Sequence, residues 1–322
     1  MNARDYDILT IGDMCVDLVV DLGRTEPQFG QAEQWVPDYT LEMGGSACIF
    51  ACQAAKLGLR VAVIGRVGDD ALGRLALQRL GGSGVDTRHV LVEPGLKTGL
   101  GLALCRAAGD RAILTYAGSI NAVYPADLTD ELLRCARHLH YCSYYLQTNL
   151  LLAVPAIFRR ARALGLSISL DSNWDPEGRW EGGLAEALAL SDLFLPNEQE
   201  ALAISRADRL EDALVSLASA GPVIAVKRGE LGALVVAGAA RWVVPVAAVA
   251  AVADTIGAGD SFDAGFVAAW LAGRSLEVCA TVGNACGRAT TQARGGIRGQ
   301  LLAADLFDVG TFQRYNVTPP IA

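Results

Sequence analysis

What limits this chain most is its repeated alternation of short, β-branched apolar runs with segments of helical pattern. Residues 7–12, 60–65, 138–144, 166–171, 192–195 and 223–227 read as buried strands. Between and after them, residues 45–57, 71–80, 154–164, 184–190, 198–204, 213–220, 259–272 and 276–293 read as helices. Gly58 stops the first of these, and Pro155 fits a first helical turn. Strands that each run into a helix line up in parallel and need cover on both faces. The spacing therefore predicts an α/β fold, a three-layer α/β/α sandwich around a mostly parallel sheet.

Two stretches break the pattern. Residues 17–39 hold Val/Leu runs interrupted by Pro27, Gly30 and Pro37, and residues 98–115 hold two alternating runs split at Ala108-Gly109-Asp110, a hairpin signal. Helices cannot cover such insertions inside the sandwich. Segments of about 13–40 and 90–117 are expected to form a small second sheet, a lid over the crevice at the strand carboxyl ends. Residues 234–244 read as a further hairpin. With 322 residues, 52% hydrophobic, the chain has material for one large core; length alone permits one large α/β domain or two modest ones, and residues 1–322 are expected to be one domain with lid segments inserted.

A net charge of -8 without any block of like charges argues against nucleic acid or an anionic membrane surface as partner. The first residues lack a basic stretch followed by an apolar one. The greasiest run, 243–253, is too short to span a bilayer and contains Pro245. A cytoplasmic protein is expected. The eight cysteines include no C-x-x-C pair and read as reduced, buried thiols. His89, His138 and His140 lack metal-binding spacing.

Chemistry concentrates in Asp254-Thr-Ile-Gly-Ala-Gly-Asp260, which opens a long apolar helix. Glycines at a helix N-terminus leave backbone N–H groups free and let a phosphate approach closely. A carboxylate there is favoured in its ionised form by the helix dipole. Donors for a migrating phosphoryl group thus sit beside an acceptor for a hydroxyl proton, the two needs of phosphoryl transfer. Taken alone, the spacing also suits a tight turn with a helix cap.

The segment resembles the C-terminal signature of the ribokinase/PfkB family of carbohydrate kinases. Gly44-Gly45-Ser46-Ala47 with Gly65-x-x-Gly68-Asp69-Asp70-x-x-Gly73 resembles the family's N-terminal signature. Asn197-x-x-Glu200 and Lys227-x-Gly229-x-x-Gly232 resemble its two nucleotide-side motifs. The resemblance implies a ribokinase-like fold and an ATP-dependent kinase using Mg²⁺. It makes Asp260 the general base and Gly257, Ala258 and Gly259 the anion hole. It assigns Asn197 and Glu200 to Mg²⁺ through water, and Asn197, Lys227, Gly229, Gly232 and Asn284 to the nucleotide. Asp13, Asp17, Gly44, Gly45 and Ser46 fall to the substrate, and the backbone carbonyls of Asp254 and Ile256 to a K⁺ ion. Relatives that dimerise through their lids imply a homodimer here. Gly68–Gly73 has Walker A glycine spacing, but Arg74-Leu75 follows where Lys-Ser/Thr is needed. The first strand ends in a lone glycine, not in a dinucleotide fingerprint.

The sequence departs from its relatives in the sugar pocket. Ile49 and Cys15 stand where they carry Asn, and Asp175 replaces the Arg that holds acidic sugars in 2-keto-3-deoxygluconate kinases. Carboxylates at Asp13, Asp17, Asp175 and Asp260 suit hydroxyl donors and repel anions. A neutral sugar or polyol is the expected substrate, with Arg111 in the lid as the cation that argues otherwise. A nucleoside kinase is the alternative, with Trp35, Tyr39 and Tyr116 as base-stacking candidates. A catalytically silent sugar-binding protein is the third reading, at odds with the intact charge set.

Overall fold

The computed structural model describes residues 4–106, 110–249 and 251–308. The elements run β1 (Tyr6–Ile11), β2 (Cys15–Gly23), β3 (Asp38–Gly44), α1 (Ser46–Lys56), β4 (Val61–Gly68), α2 (Ala71–Gly82), β5 (Val90–Glu93), β6 (Gly99–Arg106) and β7 (Arg111–Tyr116). After them come α3 (Asp130–Arg134), β8 (Ala136–Tyr141), α4 (Val154–Ala163), β9 (Ser167–Leu170), α5 (Leu184–Leu190), β10 (Leu193–Phe194), α6 (Glu198–Ser205) and α7 (Leu210–Ala218). The chain continues with β11 (Val223–Lys227), β12 (Ala233–Ala237), β13 (Ala240–Val244), α8 (Ala258–Leu271), α9 (Leu276–Thr290) and α10 (Ala303–Asp308).

Nine strands form the large sheet in the order β13-β12-β11-β10-β9-β8-β1-β4-β5. Its strands are parallel except for the β11-β12-β13 margin, where the predicted hairpin lies. One buried cluster packs α1, α2, α8 and α9 against one face, and a second packs α4, α5 and α7 against the other. From β1 the chain moves outward to β4 and β5, then returns to build β8 to β11 on the other side. This reversal makes the carboxyl ends of β1 and β8 the place where a ligand crevice opens.

A second sheet, ordered β3-β2-β6-β7, is inserted straight after β1. It differs from the sequence expectation at both ends. β3 carries it to Gly44, beyond residue 40, while β5 pairs with β4 in the large sheet, so only residues from Gly99 onward join it on the other side. Three apolar residues in β5 gave no alternation from which to tell an edge strand of one sheet from the other. The proposed turn residues Ala108 and Gly109 lie outside the described residues. Thr98 clips the start of β6 to the body: its amide and hydroxyl donate to Asp70 at 2.8 Å, and its oxygen accepts from the Gly68 amide. Asp70 also caps α2 through the Gly73 amide at 2.7 Å, so the apparent phosphate-loop spacing serves a helix cap. Among the described residues no helix is long and apolar enough to cross a membrane.

Candidate active site

Asp13 lies just past β1 and is buried. Its carboxylate accepts from the amides of Ser46 and Ala47 at 3.0 Å and from the Ser143 hydroxyl at 2.5 Å. It therefore caps α1, a contribution of about 1 kcal/mol to that helix. The sequence assigned Asp13 to substrate; here three protein donors already use most of its acceptor positions. Gly45, the residue before α1, holds φ 83° directly over it.

Asp260 is half-buried in the first turn of α8. Gly257 precedes that helix at φ 74°, and no side chain caps it. A Cβ on Gly257 would meet the Gly296 backbone at 2.7 Å and Ile49 at 2.9 Å, so both conformation and space demand glycine. The Ala258 amide turns back to the Thr255 carbonyl at 3.3 Å. Those of Gly257 and Gly259 have no protein acceptor among the described residues, which leaves donors for an anion. Burial pushes the Asp260 carboxyl up to about 7; Asp171 adds to this, while Lys227 and the Ser46 hydroxyl draw it back. A carboxyl poised near neutrality at a set of free amides suits a general base beside an oxyanion site.

Asn197 and Glu200 form a reciprocal capping box at the start of α6. Glu200 Oε2 accepts from the Asn197 amide at 2.9 Å, and Asn197 Oδ1 from the Glu200 amide at 2.8 Å. The box is compatible with a metal role, since Glu200 Oε1 carries no protein hydrogen bond among the described residues. Burial, aided by Asp171, raises Glu200 to about 7. Gly229 (φ 57°) and Gly232 (φ 83°) shape the turn after β11, which a bridge joins to Asn197. Asn284, buried on α9, donates to the Val244 carbonyl at 2.9 Å and so fastens β13.

Lys227, expected along the nucleotide, makes its bonds to two carboxylates below the start of α8. It is half-buried, and its ammonium donates to Asp171 at 2.7 Å and to Asp263 at 2.9 and 3.1 Å. Neither carboxylate was singled out from sequence, although Asp263 sits three residues after Asp260, where a helix turns about once, and Asp171 opens the strand-end loop.

On the second sheet, strand alternation puts Cys15, Asp17, Val19 and Asp21 on one face. Burial pushes Asp17 up to about 7, with Asp13 and Asp254 adding to the rise and Arg111 opposing it. Arg111 donates to the Thr255 hydroxyl at 3.0 Å and stands 3.9 Å from Asp254, so it ties β7 to the loop before the anion site. Asp254 in turn accepts from the amides of Ile256 and Gly295 at 3.0 Å. The aromatic candidates fare differently. Tyr39 is in register with Val20, and Tyr116 with Leu100, both on the face opposite Asp17. Trp35 is almost fully exposed.

Asp175 does not contribute a free charge to the crevice. Its oxygens accept from the amides of Glu177, Arg179 and Trp180 at 2.8–2.9 Å, which closes its own loop. Sequence showed an aspartate in an arginine's place but not which way it turned. Asn173, at φ 51°, reaches Ser46 instead, its amide donating at 2.7 Å.

The family model for pfkB family carbohydrate kinases matches residues 6–302. An ATP-dependent ribose-1-phosphate kinase of Halopiger xanaduensis is 33% identical over 90% of this chain and 93% of its own. A probable sugar kinase from Rhizobium etli superposes with TM-score 0.85 at 25% identity, covering 96% of this chain and 99% of its own. A putative ribokinase II from E. coli, solved with ATP and Mg²⁺, gives 0.82 at 25% identity, covering 96% and 99%. With a sandwich, an inserted sheet and a carboxyl at an uncapped helix start in place, the chain belongs to the pfkB family of carbohydrate kinases and has its ribokinase-like fold.

Proposed function

We propose that this kinase transfers the γ-phosphoryl group of ATP to a hydroxyl of a small neutral sugar or polyol, with Asp260 as general base. Asp260 takes the hydroxyl proton, the freed oxygen bonds to the γ-phosphorus, and the bond to the β–γ bridging oxygen breaks to leave ADP. Amides at the start of α8 receive the charge that spreads over the phosphoryl oxygens. The observation that carries this reading is the half-buried Asp260 carboxyl, near-neutral in pKa, beside the Gly257 and Gly259 amides at a helix start that no side chain caps.

Asn197 and Glu200 offer oxygen ligands, and no group of three or more His, Cys, Asp or Glu among the described residues is built to cage a metal. That donor set fits Mg²⁺ held by the nucleotide and reached through water. When bound, the ion would neutralise phosphate charge. A K⁺ ion on the carbonyls of Asp254 and Ile256 belongs to the same proposal, and replacing K⁺ by Na⁺ in the assay tests it.

Neutral substrates are favoured because two cations near the crevice are engaged among the described residues, Lys227 by Asp171 and Asp263, Arg111 by Thr255 and Asp254. Asp17 and Asp260 remain to accept hydroxyl protons. A sugar phosphate is the second reading. It draws on the 33% identical relative and on the loose 3.9 Å pairing of Arg111, which a phosphate would tighten. A coupled ADP-release screen over neutral sugars, polyols, nucleosides, acid sugars and sugar phosphates separates them. Highest kcat/KM with a neutral compound is expected; a preference of about tenfold or more for an anionic one, some 1.4 kcal/mol, selects the second reading.

The outer face of the second sheet supports a homodimer. Leu41, Leu18, Leu102 and Leu114 form one continuous row across its four strands, and Leu114 is 60% exposed. Light scattering on Leu114→Glu is expected to show monomer where the parent is dimeric.

A further inference from the structure

The buried cluster beneath the anion site is the part of the molecule that phosphoryl transfer, as described, leaves unused. Lys227 closes β11, Asp171 follows β9, and Asp263 lies one turn into α8. The ammonium bonds both carboxylates at 2.7–3.1 Å; the two carboxylates are almost fully buried and the lysine side chain is 13% exposed. A Cβ placed on Gly259 would stand 3.6 Å from the ammonium, so the cluster lies directly under the amides of the anion site. Two carboxylates around one ammonium leave an excess negative charge that burial opposes. Burial raises Asp263 well above the carboxylate range despite Lys227, and a hydrogen bond with Asp171 raises it further. Asp171, pushed up by burial, is brought below its ordinary value by Lys227 and by that same bond. Burial and Lys227 thus pull the proton affinities of the two carboxyls apart, while the ammonium bonds both.

We propose that Lys227, Asp171 and Asp263 act together as a positioning triad, which fixes the first turn of α8 against the ends of β9 and β11 and so aims the Asp260 carboxyl and the amides beside it, and that Lys227 is not a ligand of the nucleotide. The inference rests on the kinase reading of Asp260. Geometry supports it in two ways. Among the described residues the triad is the only hydrogen-bonded side-chain link from the first turns of α8 to both strand ends. Lys227's ammonium is also fully committed to carboxylates, with little exposure to share with phosphates.

The test compares Lys227→Met, Asp263→Ala and Asp263→Asn with the parent, on the full chain. Calorimetry gives Kd for ATP with Mg²⁺, and steady-state kinetics gives kcat and KM with the best sugar from the screen. A misaimed base predicts a kcat loss of about 100-fold in Lys227→Met and Asp263→Ala, with Kd for ATP within about threefold of the parent. Asp263→Asn keeps a neutral donor in the same place and is expected to recover most of the kcat that Asp263→Ala loses. A fall in ATP affinity of about tenfold or more in Lys227→Met would make Lys227 a nucleotide ligand and overturn the proposal. So would a kcat near the parental value in Asp263→Ala with only a lowered Tm, the mark of a purely structural role. Should Lys227→Met fail to fold, the Ala/Asn pair at position 263 decides alone, because recovery by Asn and none by Ala is specific to the donor. A parent that turns over no sugar at all would count against the kinase reading instead, while the ATP affinities still report on Lys227.

Discussion

Asp17 keeps its carboxylate in β2 because both neighbouring strands leave room for it. A Cβ on Gly44 of β3 or on Gly101 of β6 would overlap that carboxylate. The obstacle is the end of a side chain rather than backbone, so Gly101→Ala should displace Asp17 more than it disturbs the fold. KM for the sugar is expected to rise about tenfold, with KM for ATP little changed and Tm within a few degrees; an unchanged sugar KM would remove Asp17 from the substrate site. Gly44 was legible because it stands in a motif. Gly101 was not, because a glycine in an alternating strand shows its purpose only once the strand beside it is known. The same holds for Asp171 and Asp263, whose partner Lys227 comes from a distant strand.

Among elements, the loop that leads into α8 is tied to β7 of the second sheet by Arg111, through Thr255 and Asp254. Arg294 and Arg298, from the loop after α9, add ties to Asp21, Asp38 and Glu42 on β2 and β3. These latter pairs hold the far strands, whereas Arg111 alone of the described β7 side chains reaches the anion-site loop. Arg111→Ala should therefore loosen β7 without unfolding the sheet. Limited proteolysis after β6 is expected to quicken, and kcat/KM for the sugar to fall about tenfold; unaltered cleavage and kinetics would show that the bridge closes nothing. The strands and helices of the sandwich were readable because their apolar periods differ, 2 against 3.6 residues. β5 and the lid boundaries were not, since which sheet a four-residue strand joins depends on long-range pairing.

For the molecule as a whole, raised carboxyls and lowered histidines pull stability in opposite directions with pH. Asp17, Glu200 and Asp260 are each raised to about 7, so the folded state holds protons that the unfolded chain releases at much lower pH. Their stabilising contribution is complete below the unfolded carboxyl value and is lost as pH rises through about 7. Burial lowers His138 well below the usual value and His140 to about 3, so their contribution is present above about 6.5 and lost as pH falls below it. The ligand-free protein should gain Tm most steeply from pH 8 down to about 6.5 and more slowly below, where two histidines offset two of the three carboxyls, as followed by circular dichroism; a steady rise of Tm toward pH 8 would contradict the burial of these carboxyls. All of these features converge on one working carboxyl, and Asp260→Asn tests it most directly. That change keeps shape and removes the base. Turnover measured by ADP release is expected to fall about 10³-fold, with ATP affinity retained within a few-fold and the rise of parental kcat/KM through pH about 7 abolished. Turnover within tenfold of the parent, with that rise in pH intact, would show that another group takes the proton.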